Sequence, residues 1–230
     1  MTTSQASSAS HELVHRVVAN LAVAKARIAS TGRDPERIRV VGVTKTFGAD
    51  VVRAASAAGI TCVGENYLDE LVAKHSATGD LALTWHYLGS LQTNKIARLC
   101  EHADLLCGVS RLKEIEKIAH VRPGMAIYVQ VDFTGAAQRN GAGESEVEGI
   151  VQRARELGLD VRGLMTVAPE DPDGARAAFK ATAALADELG LKERSMGMSD
   201  DLEIACEQGT SEVRLGRALF GPRMAATALT

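Results

Sequence analysis

The sequence predicts an α/β chain, a single-domain (β/α)8 (TIM) barrel with an extra helix ahead of the first strand. Eight short apolar runs alternate with segments whose apolar residues recur at helical spacing, the pattern of a parallel sheet wound with helices. Many of the helical segments end in glycine, which closes a helix in the left-handed conformation. The 230 residues, less the leading helix, are short but sufficient for a closed barrel. An open doubly wound sheet meets the same count. Its glycine fingerprint is absent after the first strand, where "TKTFG" (residues 44–48) is not G-x-G-x-x-G.

In order along the chain, residues 1–9, "MTTSQASSA", are small and polar and read as a flexible tail. Residues 10–230 then form the one domain. Leu13, Val17, Leu21, Ala24 and Ile28 mark one apolar helix face. "STGRDPER" stops that helix with Gly32 and Pro35. The strand-like runs are residues 38–45, 60–65, 83–90, 103–110, 126–132, 160–169, 194–199 and 211–216. Helical periodicity fills residues 49–59, 66–75, 94–102, 111–120, 145–158, 174–190 and 200–209.

Composition narrows the function. Charged residues make up 24% of the chain with a net charge of −3, so no nucleic-acid surface is expected. No apolar run reaches the roughly 20 residues of a membrane span. Without a secretory leader, the four cysteines read as reduced core thiols of a cytoplasmic protein. The six histidines do not join them at zinc-ligand spacing.

Chemistry in such barrels sits at the C-terminal ends of the strands. Those ends present Lys45, Glu65, Asn66, His86, Gly89, Asp132, Met165, Thr166, Ser195, Ser199, Arg214, Gly216 and Arg217. Lys45 closes an apolar strand; it either reaches solvent or, partly desolvated, offers a free amine to an aldehyde. Loops after strands seven and eight commonly hold phosphate. Ser195 brings a hydroxyl there, Gly216 lets backbone N–H groups approach, and Arg217 offers either a phosphate contact or an outward ion pair. Arg214 lies within the strand, so if it points inward it needs a buried acceptor. Asn66 reads equally as a helix N-cap or a ligand contact. His86 and Trp85 are sequence neighbours in a strand and face opposite ways.

The blocks "VGVTKT", "VGENYLDEL", "WHYLGSLQTNK", "GLMTVAP" and "SMGMSDDLEIACEQGTSEVRLGRALFG" resemble the pyridoxal phosphate homeostasis proteins of the YggS type. The matches run in the family's order from Val41 to Gly221. The resemblance implies a barrel like the N-terminal domain of alanine racemases, with pyridoxal 5'-phosphate as an internal aldimine on Lys45. It places phosphate contacts in the "SMGMS" and "VRLG" blocks, Arg214 on the pyridine nitrogen and Asn66 near the cofactor. The cofactor-binding set is therefore Lys45, Asn66, Ser195, Arg214, Gly216 and Arg217. The chain departs from the family at Arg194, in "TKTF" (residues 44–47), in "AQRNGAG" (residues 137–143) and after Gly221, which touches loop contacts and surface partners more than the cofactor, and at Arg217, where the family commonly has a small hydroxyl residue.

The implied role is buffering and delivery of the cofactor, without robust catalysis, by a monomer whose partners are apo forms of pyridoxal phosphate enzymes. A weak amino-acid racemase is the alternative. It needs a base on each face of the cofactor; in alanine racemases a second domain supplies a tyrosine, and here the chain ends soon after strand eight, leaving Tyr67 as the candidate. A cofactor-free aldolase using Lys45 is a third reading.

Overall fold

The computed structural model describes residues 3–135 and 139–222, with side chains described from residue 10 onward. Eight parallel strands close into a barrel: β1 (Arg39–Val43), β2 (Cys62–Glu65), β3 (Thr84–Tyr87), β4 (Leu105–Val109), β5 (Ala126–Val131), β6 (Asp160–Thr166), β7 (Glu193–Ser195) and β8 (Glu212–Leu215). Closure rests on β8 pairing with β1, from Arg39 opposite Glu212 to Gly42 opposite Leu215, which rules out the open sheet. The intervening helices are α2 (Ala49–Ala57), α3 (Leu68–Ala77), α4 (Ile96–His102), α5 (Leu112–Val121), α6 (Glu144–Glu156), α7 (Pro172–Glu188) and α8 (Leu202–Glu207), with α9 (Arg217–Phe220) after β8. Every residue of β4 and β5 is buried, as expected for strands covered on both faces.

The leading helix, α1 (Thr3–Ser30), begins earlier than the polar composition predicts. Its backbone runs through residues assigned to the tail, while residues 1 and 2 lie outside the described residues. The predicted stripe is its inner face: Val17, Ala24 and Ile28 are buried, and Leu13 and Leu21 pack at its edges. It lies across α2, α8 and α9. With only four residues, α9 is too short to cover its share of the barrel, and α1 takes over that work. Asn20 donates to Leu219 O at 2.8 Å, and Arg27 grips Glu203 through two bonds of 2.6 Å. Between α1 and β1, Pro35–Arg37 forms a short 3-10 turn capped by Asp34.

The barrel is filled, not hollow. Tyr128 of β5 donates to Glu193 of β7 at 2.5 Å and meets Glu212 of β8 at 3.3 Å. Arg39 of β1 donates to both carboxylates. These strands are not all neighbours, so the groups meet in the lumen, and Arg39, Glu193 and Glu212 each open their strand. The N-terminal mouth is thereby closed by a polar layer. Leu105, Cys107, Ala126, Tyr128 and Met165 form an apolar cluster of their own. His86 stands edge-on to Tyr128 at 6.5 Å between centroids, and Trp85 packs beneath the helices against His75, the two faces that strand alternation predicts. All four cysteines are buried and unpaired.

Candidate functional site

A cavity of about 280 Å³ opens at the C-terminal mouth. Lys45, Asn66, Arg214, Gly216 and Arg217 all line it. They come from the ends of β1, β2 and β8, which the closed order places side by side around the β8–β1 seam. Val43, Leu88 and Met165 supply apolar walls, and Gln130, Ser199 and Asp200 add polar groups.

Lys45 sits two residues past the end of β1 and is half-buried. The chain on either side of it is held tightly. Thr44 is fully buried, and its hydroxyl donates to Glu65 Oε1 at 2.6 Å. Thr46 adopts φ of 69°, a left-handed conformation that is an outlier for a β-branched residue; its N–H donates to Glu70 Oε2 at 2.8 Å.

Arg214 points inward and is 5% exposed. It donates through Nη1 to Ser195 O at 2.6 Å and Ser195 Oγ at 2.8 Å, and through Nη2 to Thr166 O at 2.8 Å. These acceptors are neutral. Burial therefore pulls the guanidinium pKa down from its usual value, against the pull of Glu212. A buried cation held by carbonyls and a hydroxyl is suited to an electron-rich ligand atom.

Ser195 is placed differently from the sequence expectation. It is fully buried and does not line the cavity. Its hydroxyl donates to Glu212 Oε1 at 2.7 Å and accepts from Arg214. The reason is that β7 stops at Ser195 and pairs with β8 only there. Gly197 then turns the chain at φ of 94°, where a Cβ would lie 2.5 Å from Ala205 Cβ. Ser199 reaches the cavity instead, and its Oγ accepts from Ala218 N at 3.3 Å. Arg217 is on the rim in the outward ion pair, 2.5 Å from Asp200. Asn66 is not the helix N-cap; Tyr67 holds that position, which frees Asn66 for the cavity wall.

The remaining strand-end candidates are structural. Asp132 caps a turn through Thr134 and Gly135. Thr166 donates to Val131 O at 2.9 Å. His86 is buried and 3.7 Å from Glu212; desolvation lowers its pKa despite that carboxylate. Of the loop 137–143, residues 137 and 138 lie outside the described residues; Arg139 donates to Val167 O and Ala168 O. Missed by the sequence reading were Gln130, a polar residue in an otherwise apolar strand, and Lys74. The signal for Lys74 was its place three residues after Leu71 on the buried face of α3, four after Glu70.

Residues 14–224 match the family described as alanine racemase, N-terminal domain. The pyridoxal phosphate homeostasis protein of Pseudomonas aeruginosa is 38% identical over 222 residues, covering 90% of this chain and 96% of that protein. PipY of Synechococcus elongatus, solved with PLP bound, has a TM-score of 0.76 at 30% identity, covering 86% of this chain and all of that one (100%). Alanine racemase from Corynebacterium glutamicum shares the fold, with a TM-score of 0.71 at 18% identity over 93% of this chain and 63% of that one. A closed barrel with a lysine past β1 and an inward arginine on β8, matched along nearly its whole length, places the chain in the alanine racemase N-terminal-domain family, among the pyridoxal phosphate homeostasis proteins.

Proposed function

We propose that the chain binds pyridoxal 5'-phosphate in the C-terminal cavity and serves cofactor homeostasis, holding and releasing the cofactor rather than turning over a substrate. The observation that carries this is the joint presence of Lys45 and buried Arg214 on one small cavity. The residues fit the group: an amine, a guanidinium, a hydroxyl, a glycine backbone and apolar walls suit a flat anionic ring compound bearing a carbonyl. When bound, the cofactor supplies an aldehyde that condenses with a neutral amine, losing water, together with a heteroaromatic ring and a phosphate.

The chain's own residues then divide the work. Lys45 Nζ is the covalent anchor. Ser199, Gly216 and Arg217 are the phosphate side, which requires Arg217 to leave Asp200. Ser195 contributes indirectly, by holding Arg214. Arg214, a fixed cation, disfavours protonation of a ring nitrogen beside it and so weakens the ring as an electron sink. No tyrosine lines the cavity: Tyr67 is exposed, and Tyr87 and Tyr128 are buried elsewhere. This supports a holder over a racemase, which needs a second base. Residues 10–230 acting as one unit, a monomeric state, a cytoplasmic location and transfer to apo enzymes belong to the same reading. Among the described residues no helix is long and apolar enough to cross a membrane.

The test is to saturate the protein with pyridoxal 5'-phosphate, record its visible absorption, reduce with borohydride and map the label. Label on Lys45, lost in Lys45→Ala, is expected; a colourless protein or label elsewhere overturns the reading. Solvent deuterium entering the Cα position of added amino acids at a sustained rate overturns the non-catalytic part.

A further inference from the structure

The cluster behind Lys45 is built more strongly than a solvent-facing loop needs. Lys74 of α3 is 5% exposed and spends all three ammonium hydrogens: on Thr44 O at 2.7 Å, Glu65 Oε1 at 2.6 Å and Glu70 Oε2 at 2.7 Å. Thr44 and Thr46 are the two neighbours of Lys45, so this one helix grips the chain on both sides of the anchor, through Lys74 on one side and Glu70 on the other. Glu65 is fully buried and its Oε2 has no hydrogen-bond partner; Oε1 accepts from the Lys74 ammonium and the Thr44 hydroxyl, while burial pushes the carboxyl pKa up against those two bonds. The left-handed Thr46 persists because its N–H is held by Glu70; such a conformation survives only where its surroundings over-determine it.

We infer that Lys74, with Glu70 and Glu65, is a positioning device that fixes the direction in which Lys45 is presented to the cavity. This rests on the functional reading above, in which Lys45 is the covalent anchor. None of the three lines the cavity, so they act through the backbone at Thr44 and Thr46 and not through the ligand. The consequence is a separation of two properties. Noncovalent capture of the ring and phosphate is independent of the cluster, whereas the covalent step depends on it, because misplacing a reacting group by about 1 Å costs up to roughly a hundredfold in rate.

The experiment compares two ligands on the full chain. Pyridoxal 5'-phosphate reports covalent capture by its absorption change and by borohydride labelling of Lys45. Pyridoxine 5'-phosphate, an alcohol, cannot condense and reports the noncovalent site alone. Glu70→Ala removes the hold on Thr46 at a half-exposed position. Glu70→Gln keeps an acceptor there and serves as the rescue. Lys74→Met strips the other side, and the double variant Glu65→Leu with Lys74→Met avoids stranding a buried carboxylate. Covalent capture slower by roughly tenfold or more in Glu70→Ala and the Lys74 variants, partly recovered in Glu70→Gln, with pyridoxine 5'-phosphate affinity unchanged, is the expected result. Wild-type rates in all variants, or equal losses for both ligands, overturn the inference while leaving the functional reading standing. Failure of the wild-type protein itself to label at Lys45 overturns the functional reading and this inference with it.

Discussion

Tyr128 shows how much a single hydroxyl can decide inside this barrel. It donates to Glu193 and touches fully buried Glu212. Desolvation pushes the Glu193 carboxyl up, but the bonds from Tyr128 and Arg39 outweigh it and hold the folded pKa below the usual value. Tyr128→Phe removes a donor from two carboxylates and is expected to cost about 1–3 kcal/mol, measured by urea unfolding at neutral pH. Because the Glu193 pKa is depressed in the folded protein, its contribution is present above the ordinary carboxylate pKa and fades as pH falls through the folded value. The cost of Tyr128→Phe should therefore shrink in acid; a constant cost would refute the coupling. At this scale the site was only partly legible. Lys45 and Arg214 were conspicuous as charges ending or interrupting an apolar strand, but the pattern left open whether each faces solvent, and only the family resemblance assigned them to the cofactor. Ser195 was chosen for the site where Ser199 lines the cavity, since where β7 ends depends on the turn at Gly197 and on pairing with β8, neither of which is written in side-chain pattern. Lys74 was hidden because a lysine on an amphipathic helix is read as outward until its three acceptors are seen.

Among the elements, α1 stands out because it comes ahead of β1 and completes the barrel's wall beside the short α9. Its stripe of Val17, Ala24 and Ile28 was readable from spacing, and so were the eight strands, because burial on both faces leaves long apolar runs. Its start was not, because small polar residues tolerate helix and coil alike. Ile28 is fully buried, so Ile28→Ala is expected to cost about 2–4 kcal/mol in urea unfolding; a loss under half of that would mean α1 is dispensable. The Arg27 hydrogen bonds lower the Glu203 pKa against a smaller desolvation effect, so this link too is present above the ordinary carboxylate pKa and is lost as pH falls through the folded one. The pair is about one-third exposed, which limits it to about 1 kcal/mol or less. Glu203→Gln should lower stability at neutral pH by about 1 kcal/mol or less and leave stability below the folded pKa nearly unchanged, so the acid limb flattens slightly; an unaltered acid limb counts against the link.

For the whole molecule, a ligand that binds only the folded barrel must stabilise it. At a free concentration a hundred times its Kd, pyridoxal 5'-phosphate should add about 2.7 kcal/mol, or roughly 2–4 °C in Tm for each kcal/mol in a chain of this size. Lys45→Ala should keep only the smaller shift due to noncovalent capture, and equal shifts in both proteins would argue against attachment at Lys45. The polar layer of Arg39, Tyr128, Glu193 and Glu212 has one more effect at this scale. It makes the vessel a cul-de-sac: whatever is stored must leave by the doorway through which it came. On the proposed function, a molecule arriving to collect the cargo would approach the same face that admitted it, so loading and unloading would take turns, and anything that obstructs that doorway would halt both.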